Sequence, residues 1–482
     1  METLPDRTTL LRGSAAANLL QSKTSSERET MTFSRPGWRS FRRLTAAAAT
    51  LLLGGALVAC SGGTSPAGIS GGSADAIDAA LEKGGTISYW TWTPSAEAQI
   101  KAFEKAYPNV DVKLVDTAGA ADHNLKLQNA ITAGSGAPDV AQLEYQSMPQ
   151  FILPDSLVNL KDYGFTEFKN LYTPGPWNAV TTDEGIYGLP QDSGPMALFY
   201  NKTVFDEFGI AVPKTWDEYI AAGKKLHAAD PTKYITNDGG GDAGFGTSMI
   251  WQAGGRPFAS DGTSITVDLQ DEGSKRWADT WSELIEDGSL GSIPGWSDQW
   301  FTGLGDGTIA TLPIGAWMPG VLESGAAAGS GHWRVAPMPT YDGGEAVTAE
   351  NGGSAQVVLE QSKNKDLAAG FLRWLNTSDD SIGVFLESGG FPATVADLES
   401  DEFLNHESEY FGGQKINEVL AGAAKSVSKG WEYLPWQSYA NSVYPDTVGQ
   451  AYLKSSDLND ALLDWQGENV SYGKEQGYTI NE

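Results

Sequence analysis

Hydrophobic residues recur along this chain in two alternating patterns, one with the period of a strand and one with the period of a helix. Residues 86–90 alternate polar and apolar side chains, and residues 95–107 place apolar side chains at helical spacing. The next strand, helix and strand are predicted at residues 109–115, 125–132 and 138–143. Strands and helices that alternate at this spacing predict parallel sheets flanked by helices.

The same succession recurs in the second half of the chain. Further strands are predicted at residues 196–200, 309–313 and 356–359, and further helices at residues 216–228, 367–375, 384–387 and 459–465. In doubly wound sheets, ligands lie beyond the carboxyl ends of the strands. The residues that follow each strand are therefore the candidates for a binding site.

The region before the first strand has a different pattern. Residues 44–59 are almost wholly Ala, Leu, Val and Gly, follow four arginines, and end at Cys60, the only cysteine among 482 residues. A basic stretch, a short apolar run and small residues at its end are typical of an export signal. The run is also short of the roughly 20 residues that span a bilayer. We therefore expect residues 1–59 to be a leader and signal peptide, with Met31 as an alternative start that would leave out residues 1–30.

Residues 57–60 (Leu-Val-Ala-Cys) resemble a bacterial lipobox, in which the signal is cut before the cysteine and the thiol is lipidated. The alternative is a free buried cysteine. The residues that follow Cys60 are rich in Gly and Ser, so we expect residues 60–84 to form a lipidated, flexible linker. These features predict an exported protein that a lipid on Cys60 anchors at the outer face of the plasma membrane.

Composition narrows the classes of partner. From Cys60 onward the chain carries 57 acidic and 24 basic residues, a formal net charge of about −33, which disfavours nucleic acid and anionic lipid surfaces. About 420 residues exceed one hydrophobic core and predict two lobes. The four histidines are scattered and the one cysteine has no partner, so we expect no disulfide, no metal site and no cofactor.

Five segments in a fixed order resemble one known family. They are residues 131–140 (ITAGSGAPDV), 187–202 (YGLPQDSGPMALFYNK), 213–219 (PKTWDEY), 352–354 (GGS) and 362–365 (SKNK). Together they resemble the extracellular solute-binding proteins of carbohydrate ABC importers, the group that includes maltose-binding proteins. The resemblance covers the chain from about residue 85 to its end.

The resemblance implies a type II periplasmic-binding-protein-like α/β fold, in which two doubly wound lobes enclose a ligand cleft. It implies crossovers near residues 191–195, 338–341 and 389–392. The N-terminal lobe would then comprise residues 85–192 plus 340–390, and the C-terminal lobe residues 195–338 plus 393–482.

Candidate ligand-binding residues follow from sugar chemistry and from position. A sugar ring offers apolar faces to aromatic side chains and a rim of hydroxyls to carboxylates and amides. Trp92 follows the first strand, and Glu144 and Gln146 follow the third. Asp192 lies at the first crossover, where a turn aspartate that caps backbone amides is an equal alternative.

The second half supplies further candidates by resemblance to the family. Trp251 and Trp317 resemble its aromatic plates, and Gly353 and Ser354 could offer close backbone approach and a hydroxyl. Trp436 and Tyr439 lie in a segment that approaches the cleft late in the family's chains. For each aromatic residue, packing in a core is the alternative.

The expected function is that of a monomeric, non-enzymatic receptor that captures a mono- or oligosaccharide and delivers it to an ABC permease. A surface-tethered glycoside hydrolase stays open, because among 57 acidic residues some pair will lie at a hydrolytic separation. A third possibility is an aromatic cage for a quaternary amine such as betaine.

Overall fold

The computed structural model describes residues 72–117, 120–454 and 456–482. The predicted signal and Cys60 lie outside the described residues. None of the helices in these ranges combines the length and apolar character needed to cross a bilayer.

The described residues contain thirteen strands. In chain order, β1 to β13 are Gly85–Thr91, Val110–Asp116, Val140–Glu144, Leu189–Pro190, Met196–Asn201, Thr236–Asn237, Phe258–Asp261, Ser264–Val267, Leu290–Gly291, Thr311–Gly315, Trp333–Ala336, Ser354–Val358 and Thr479–Asn481.

Nineteen α-helices lie within the same ranges. In chain order, α1 to α19 are Ala74–Lys83, Ala96–Ala106, Ala120–Thr132, Met148–Ile152, Pro174–Ala179, Lys202–Glu207, Trp216–Ala229, Ala243–Gln252, Glu272–Glu286, Asp298–Asp306, Met318–Gly325, Lys365–Thr377, Asp379–Glu387, Val395–Leu398, Asp401–Leu404, Ile416–Lys425, Gln437–Val443, Val448–Lys454 and Leu458–Glu475. Short 3-10 helices lie at Tyr145–Ser147, Leu160–Tyr163, Phe165–Leu171 and Ala327–Gly329.

The first lobe, residues 74–190 plus 354–388, is built on a five-stranded sheet in the order β2-β1-β3-β12-β4. Strand β1 is parallel to β2 and β3, as the alternating pattern predicts. Strand β12 is antiparallel to β3, and its first residue, Ser354, pairs with Glu144 at the end of β3. Since β12 enters the sheet at the edge where β3 ends, it runs in the opposite direction.

The second lobe, residues 196–349 plus 399–482, has a smaller central sheet in the order β10-β5-β11. Both outer strands are antiparallel to β5, so the expectation of a parallel sheet is wrong here. The physical reason is again the point of entry. Met196 begins β5 directly after the first crossover and pairs with Gly315 at the end of β10, so the two strands run in opposite directions.

The predicted flexible linker at residues 60–84 is wrong in its described part. Residues 74–83 form α1, and the Ser73 hydroxyl caps this helix by accepting from the Ala76 amide at 3.1 Å. Ile77 and Leu81 are buried, and α1 packs against α12. A short apolar stripe at helical spacing therefore adds this segment to the core of the first lobe.

The chain passes between the lobes in three places. Residues 191–195 join β4 to β5. The return lies at residues 350–353 rather than at the predicted 338–341, because Met338 and Ala349 are still buried in the second-lobe core. The third passage, residues 389–398, leads from the first lobe to the second. Along it Phe391 packs in the second-lobe core, Ala393 in the first-lobe core, and Leu398 again in the second.

Candidate ligand-binding site

The crossovers meet around one buried carboxyl group. Glu350 is 5% exposed, and its carboxylate accepts from the Ser193 hydroxyl at 3.0 Å and from the Gly194 amide at 2.6 Å. Burial raises the pKa of Glu350 to about 7. A Cβ atom at Gly194 would lie 2.3 Å from the Asn351 carbonyl oxygen, so only glycine allows the two crossovers to pack this closely. This arrangement forms the floor of the cleft between the lobes.

Asp192 and Ser354 are bound to each other at the same edge. One carboxylate oxygen of Asp192 accepts from the Ser354 amide at 2.6 Å and from its hydroxyl at 2.7 Å. Burial raises the pKa of Asp192 to about 6, although the bonds from Ser354 act in the opposite direction. Asp192 therefore caps a backbone amide, which was the alternative given from the sequence. Its ligand role at the same place stays a prediction.

Trp92 is half-buried at the end of β1, and a buried amide fixes its backbone. Gln142 Oε1 accepts from the Trp92 amide at 3.2 Å and from the Thr93 hydroxyl at 2.9 Å. The fully buried His123 ring contacts the Trp92 ring edge-on, with centroids 5.1 Å apart. Burial lowers the pKa of His123 to about 4, so the imidazole is neutral near pH 7. Sequence reasoning missed Gln142, whose signal is a lone amide inside an apolar strand.

Glu144 and Gln146 lie at the end of β3 and begin a polar chain between the lobes. Glu144 accepts from Gln146 Nε2 at 2.9 Å, and Gln146 Oε1 accepts from Asn441 Nδ2, on α17 of the second lobe, at 3.1 Å. Burial raises the pKa of Glu144 to about 7, and the charges of Asp242 and Asp192 add to the effect. Asn441 was not among the sequence candidates.

The segment that contains Trp436 and Tyr439 approaches the first lobe through Tyr433, which was not among the predicted residues. Tyr433, half-buried, packs against the first-lobe core, and burial together with the charges of Glu350 and Glu144 raises the pKa of its hydroxyl. Leu434 and Trp436 are buried in the second lobe. Since the charges of Glu350 and Glu144 act on its hydroxyl, Tyr433 lies near the crossover and the end of β3.

Trp436 and Tyr439 are therefore placed away from the cleft, against the prediction. Trp436 is 5% exposed and donates from Nε1 to Asn469 Oδ1 at 3.1 Å. Tyr439 stacks on Tyr472 with centroids 3.8 Å apart, and its hydroxyl donates to Glu468. Both face helix α19 instead.

The two predicted tryptophans of the second lobe have different surroundings. Trp317 follows β10, is half-buried, and donates from Nε1 to the Asn351 carbonyl at 2.7 Å, so it lies beside the crossover. Trp251 is 8% exposed, stacks on Trp431 with an interplanar angle of 9°, and donates to the Ser428 carbonyl. Trp251 therefore packs within the second lobe, the alternative that the sequence left open, and its role as a ligand plate stays a prediction.

Two more residues complete the site. Gly353 has φ of 89°, and a Cβ there would lie 2.6 Å from the Tyr145 ring, so Gly353 allows Tyr145 to pack at the crossover. Trp296 stacks on Trp317 with ring centroids 5.9 Å apart and is 57% exposed. Sequence reasoning missed Trp296, whose signal is a tryptophan in a Gly/Pro-containing loop just before a helix.

The site thus combines aromatic rings, buried carboxyl groups and amides at the facing ends of both lobes. Within the described ranges, no three His, Cys, Asp or Glu side chains come together in a way that could hold a metal ion. A separate cavity of about 710 Å³ lies on the first lobe between α1 and the start of α12, and Lys83, Asn159 and Lys365 are among its lining residues.

Comparison with known proteins gives matches over most of the chain. The model of the family described as bacterial extracellular solute-binding protein matches residues 89–381. An arabinooligosaccharide-binding protein of Halalkalibacterium halodurans is 26% identical over 387 residues, which are 73% of this chain and 81% of that protein. A lactose-binding protein of Rhizobium radiobacter is 25% identical over 351 residues, 69% of this chain and 80% of that protein.

Solved structures match more fully. An ABC-transporter-associated binding protein of B. animalis subsp. lactis, in complex with β-1,6-galactobiose, is 42% identical with a TM-score of 0.77, and the match covers 82% of this chain and 99% of that one. A galacto-N-biose/lacto-N-biose I-binding protein of Bifidobacterium longum, in complex with lacto-N-biose, is 29% identical with a TM-score of 0.73 and coverages of 83% and 99%.

Proposed function

The chain belongs to the family of bacterial extracellular solute-binding proteins, and we propose that it captures a short, uncharged oligosaccharide between its lobes and delivers it to the permease of an ABC importer. The observation that carries this proposal is the position of Trp92 and Trp317. Each follows a strand that ends at the cleft, one on each lobe, and buried carboxyl and amide groups lie at the same edges. The 42% identical structure in complex with β-1,6-galactobiose supports a galactoside as the ligand.

In this proposal the aromatic rings and polar groups have separate tasks. Trp92 and Trp317 stack on the apolar faces of sugar rings. Glu144 and Gln146 exchange hydrogen bonds with hydroxyls, since a carboxylate accepts and an amide both donates and accepts. Asp192 and Ser354 hold the edge of β12 in place beneath the sugar.

Binding would couple to closure of the lobes. A ligand that contacts both lobes binds the closed state more tightly than the open state, and so shifts the population toward it. The closed surface is then what the permease recognises. The protein acts as a receptor without turnover, since the binding proteins named above are receptors and the site's carboxyl groups are engaged by neighbouring polar groups.

The family is extracellular, so the protein is exported. We further propose that a lipid on Cys60 anchors a monomeric receptor at the outer face of the plasma membrane. Replacing Cys60 by Ala in the producing cell should release the protein from the membrane fraction. Mass spectrometry of the unaltered protein should find lipid on an N-terminal Cys60, whereas an unmodified Cys60 within a longer chain would contradict the anchor.

One experiment separates the proposed function from its alternatives. The purified protein is titrated by calorimetry with β-1,6-galactobiose, lacto-N-biose, lactose, arabino-oligosaccharides and betaine, and each mixture is then analysed for new products. We expect binding of one sugar per chain without products. Catalytic release of shorter sugars would make the protein a hydrolase, and binding of betaine alone would make it an amine receptor.

A further inference from the structure

Two regions beside the crossovers differ in how far protein covers them. In the first region, second-lobe residues 431–443, here called the side wall, lie against the first lobe. Within the side wall, Tyr433 packs on the first-lobe core, Asn441 bonds to Gln146, and α17 contacts the 3-10 helix at Tyr145–Ser147 and α4. A ligand that contacts Glu144 would therefore contact the side wall directly beyond Gln146.

At the other side of the crossover, aromatic rings continue outward. Trp317 donates to Asn351, and a Cβ at the adjacent Gly352 would lie 3.0 Å from the Trp317 indole nitrogen, so this ring is close to the cleft floor. Trp296 stacks on Trp317 with an interplanar angle of 23°.

Trp296 has two properties that packing alone does not require. It is 57% exposed, and its φ of 65° lies in the left-handed region, which bulky side chains rarely adopt. Such backbone strain clusters at ligand clamps and persists only where surrounding contacts impose it. Trp300, 5% exposed, supplies such a contact, with its centroid 5.3 Å from Trp296. The strained backbone thus holds a large ring in an exposed position beside the site.

We propose that Trp296 is a binding platform for the sugar units that extend beyond those held between Trp92 and Trp317. The inference rests on the proposed function of the cleft. Because the side wall contacts the first lobe beyond Gln146 while Trp296 is exposed, we expect an oligosaccharide to lengthen toward Trp296. The cleft is then specific for chains with one buried end, and Trp296 sets the preference for length.

The test measures affinity as a function of chain length. The unaltered protein and Trp296→Ala are titrated by calorimetry with the di-, tri- and tetrasaccharide of one linkage, beginning with β-1,6-linked galactose and, if that series does not bind, with the linkage found in the panel above. We expect the variant to lose about tenfold in affinity for the tri- and tetrasaccharide and less than twofold for the disaccharide, as removal of one stacked ring predicts.

Two controls separate stacking from fold and strain. Trp296→Tyr keeps an aromatic face and should restore most of the affinity for the longer sugars, whereas Trp296→Gly relieves the backbone and should not. An equal loss for all three lengths, or no loss for any, overturns the inference while sugar binding by the unaltered protein leaves the proposed function standing. Failure of every sugar to bind the unaltered protein overturns both.

Discussion

The two lobes contribute different chemistry to the cleft between them. Apart from Trp92, the first lobe supplies carboxyl and amide groups, among them Glu144 and Gln146, at the ends of buried strands. The second lobe supplies mainly aromatic rings, Trp317 at the end of β10 and Tyr433 in the side wall. Under the proposed function, the first lobe would bind mainly the hydroxyl rim of a sugar, and the second-lobe rings, together with Trp92, would cover its faces. Only a ligand that contacts both lobes would then hold them together.

The first lobe can be weakened without touching the cleft. Leu81 is buried on α1, and its side chain packs against α12 at Gly370. We expect Leu81→Ala to lower the free energy of unfolding by about 2–5 kcal/mol, as large-to-small core substitutions do, and to leave sugar affinity unchanged. Denaturant unfolding measures the first quantity and calorimetry the second.

The matched control is Leu453→Ala, since Leu453 lies in the second lobe and is 76% exposed. It should change stability by less than about 0.5 kcal/mol. Equal stability of the Leu81 variant and the unaltered protein would restore the flexible-linker interpretation of residues 72–84.

The aromatic contribution of the second lobe rests on Trp317. Trp317→Ala removes a ring at the centre of the proposed site, and hot-spot residues of this kind contribute about 2 kcal/mol or more, a loss of roughly 30-fold in affinity. Trp436→Phe is the matched control, because Trp436 is buried away from the cleft. It should lower stability and leave affinity intact. If both variants bind the sugar equally well, Trp317 is a packing residue.

The buried carboxyl group of Glu350 predicts that the stability of the protein depends on pH. Burial raises the pKa of Glu350 from 4.5 to about 7, so the folded state binds more protons than the unfolded state between these values. The contribution of Glu350 to stability is therefore highest below about pH 4.5 and falls until about pH 7. Glu350→Gln should match the unaltered protein at pH 5 and exceed it at pH 8 by about 1–2 kcal/mol.

Chemical unfolding of both proteins at a series of pH values tests this sign. The second-lobe change Trp317→Ala serves as the control, because it removes no titratable group and its stability difference should not vary with pH. A stability difference for Glu350→Gln that is the same at pH 5 and pH 8 would show that the carboxyl group of Glu350 does not titrate in this range.

The smallest expected effect concerns the contact that joins the two lobes outside the crossovers. Asn441→Ala removes the bond to Gln146 and should weaken sugar binding about two- to tenfold, the value of one hydrogen bond. Small-angle scattering of the ligand-free variant should show a larger radius of gyration. Asn459→Ala, whose amide bonds within the second lobe to Asp279, should change neither quantity. Identical scattering of all three proteins would contradict a role in closure.

Strands β1, β2, β3, β5, β10 and β12 were predictable because their apolar alternation or continuous apolar runs are local properties. The short strands β4 and β11 of the two central sheets were not predicted. The relative direction of the strands could not be predicted. It depends on where the chain enters each sheet, and both β5 and β12 enter from a crossover. Helix α1 was missed because its apolar stripe is short and follows a Gly/Ser-rich tract.

The candidate site could be predicted from the sequence only where a residue's position at or after the end of a strand places it at the cleft. Trp92 and Trp317 follow strands, and Glu144 ends β3. Their ligand roles stay predictions. Trp251 and Trp436 could not be distinguished by residue type from cleft tryptophans, since their hydrogen bonds to Ser428 and Asn469 are tertiary contacts. Asn441 could not be predicted either, because its bond to Gln146 is also a tertiary contact.

A crystal structure of the complex would show directly whether one sugar ligand contacts both lobes. With the tightest ligand of the panel, we predict a sugar ring stacked on Trp92 or Trp317 and a hydroxyl within hydrogen-bond distance of Glu144. A sugar bound only elsewhere, such as in the cavity beside Lys83 and Lys365, or one that contacts a single lobe, would contradict binding between the lobes.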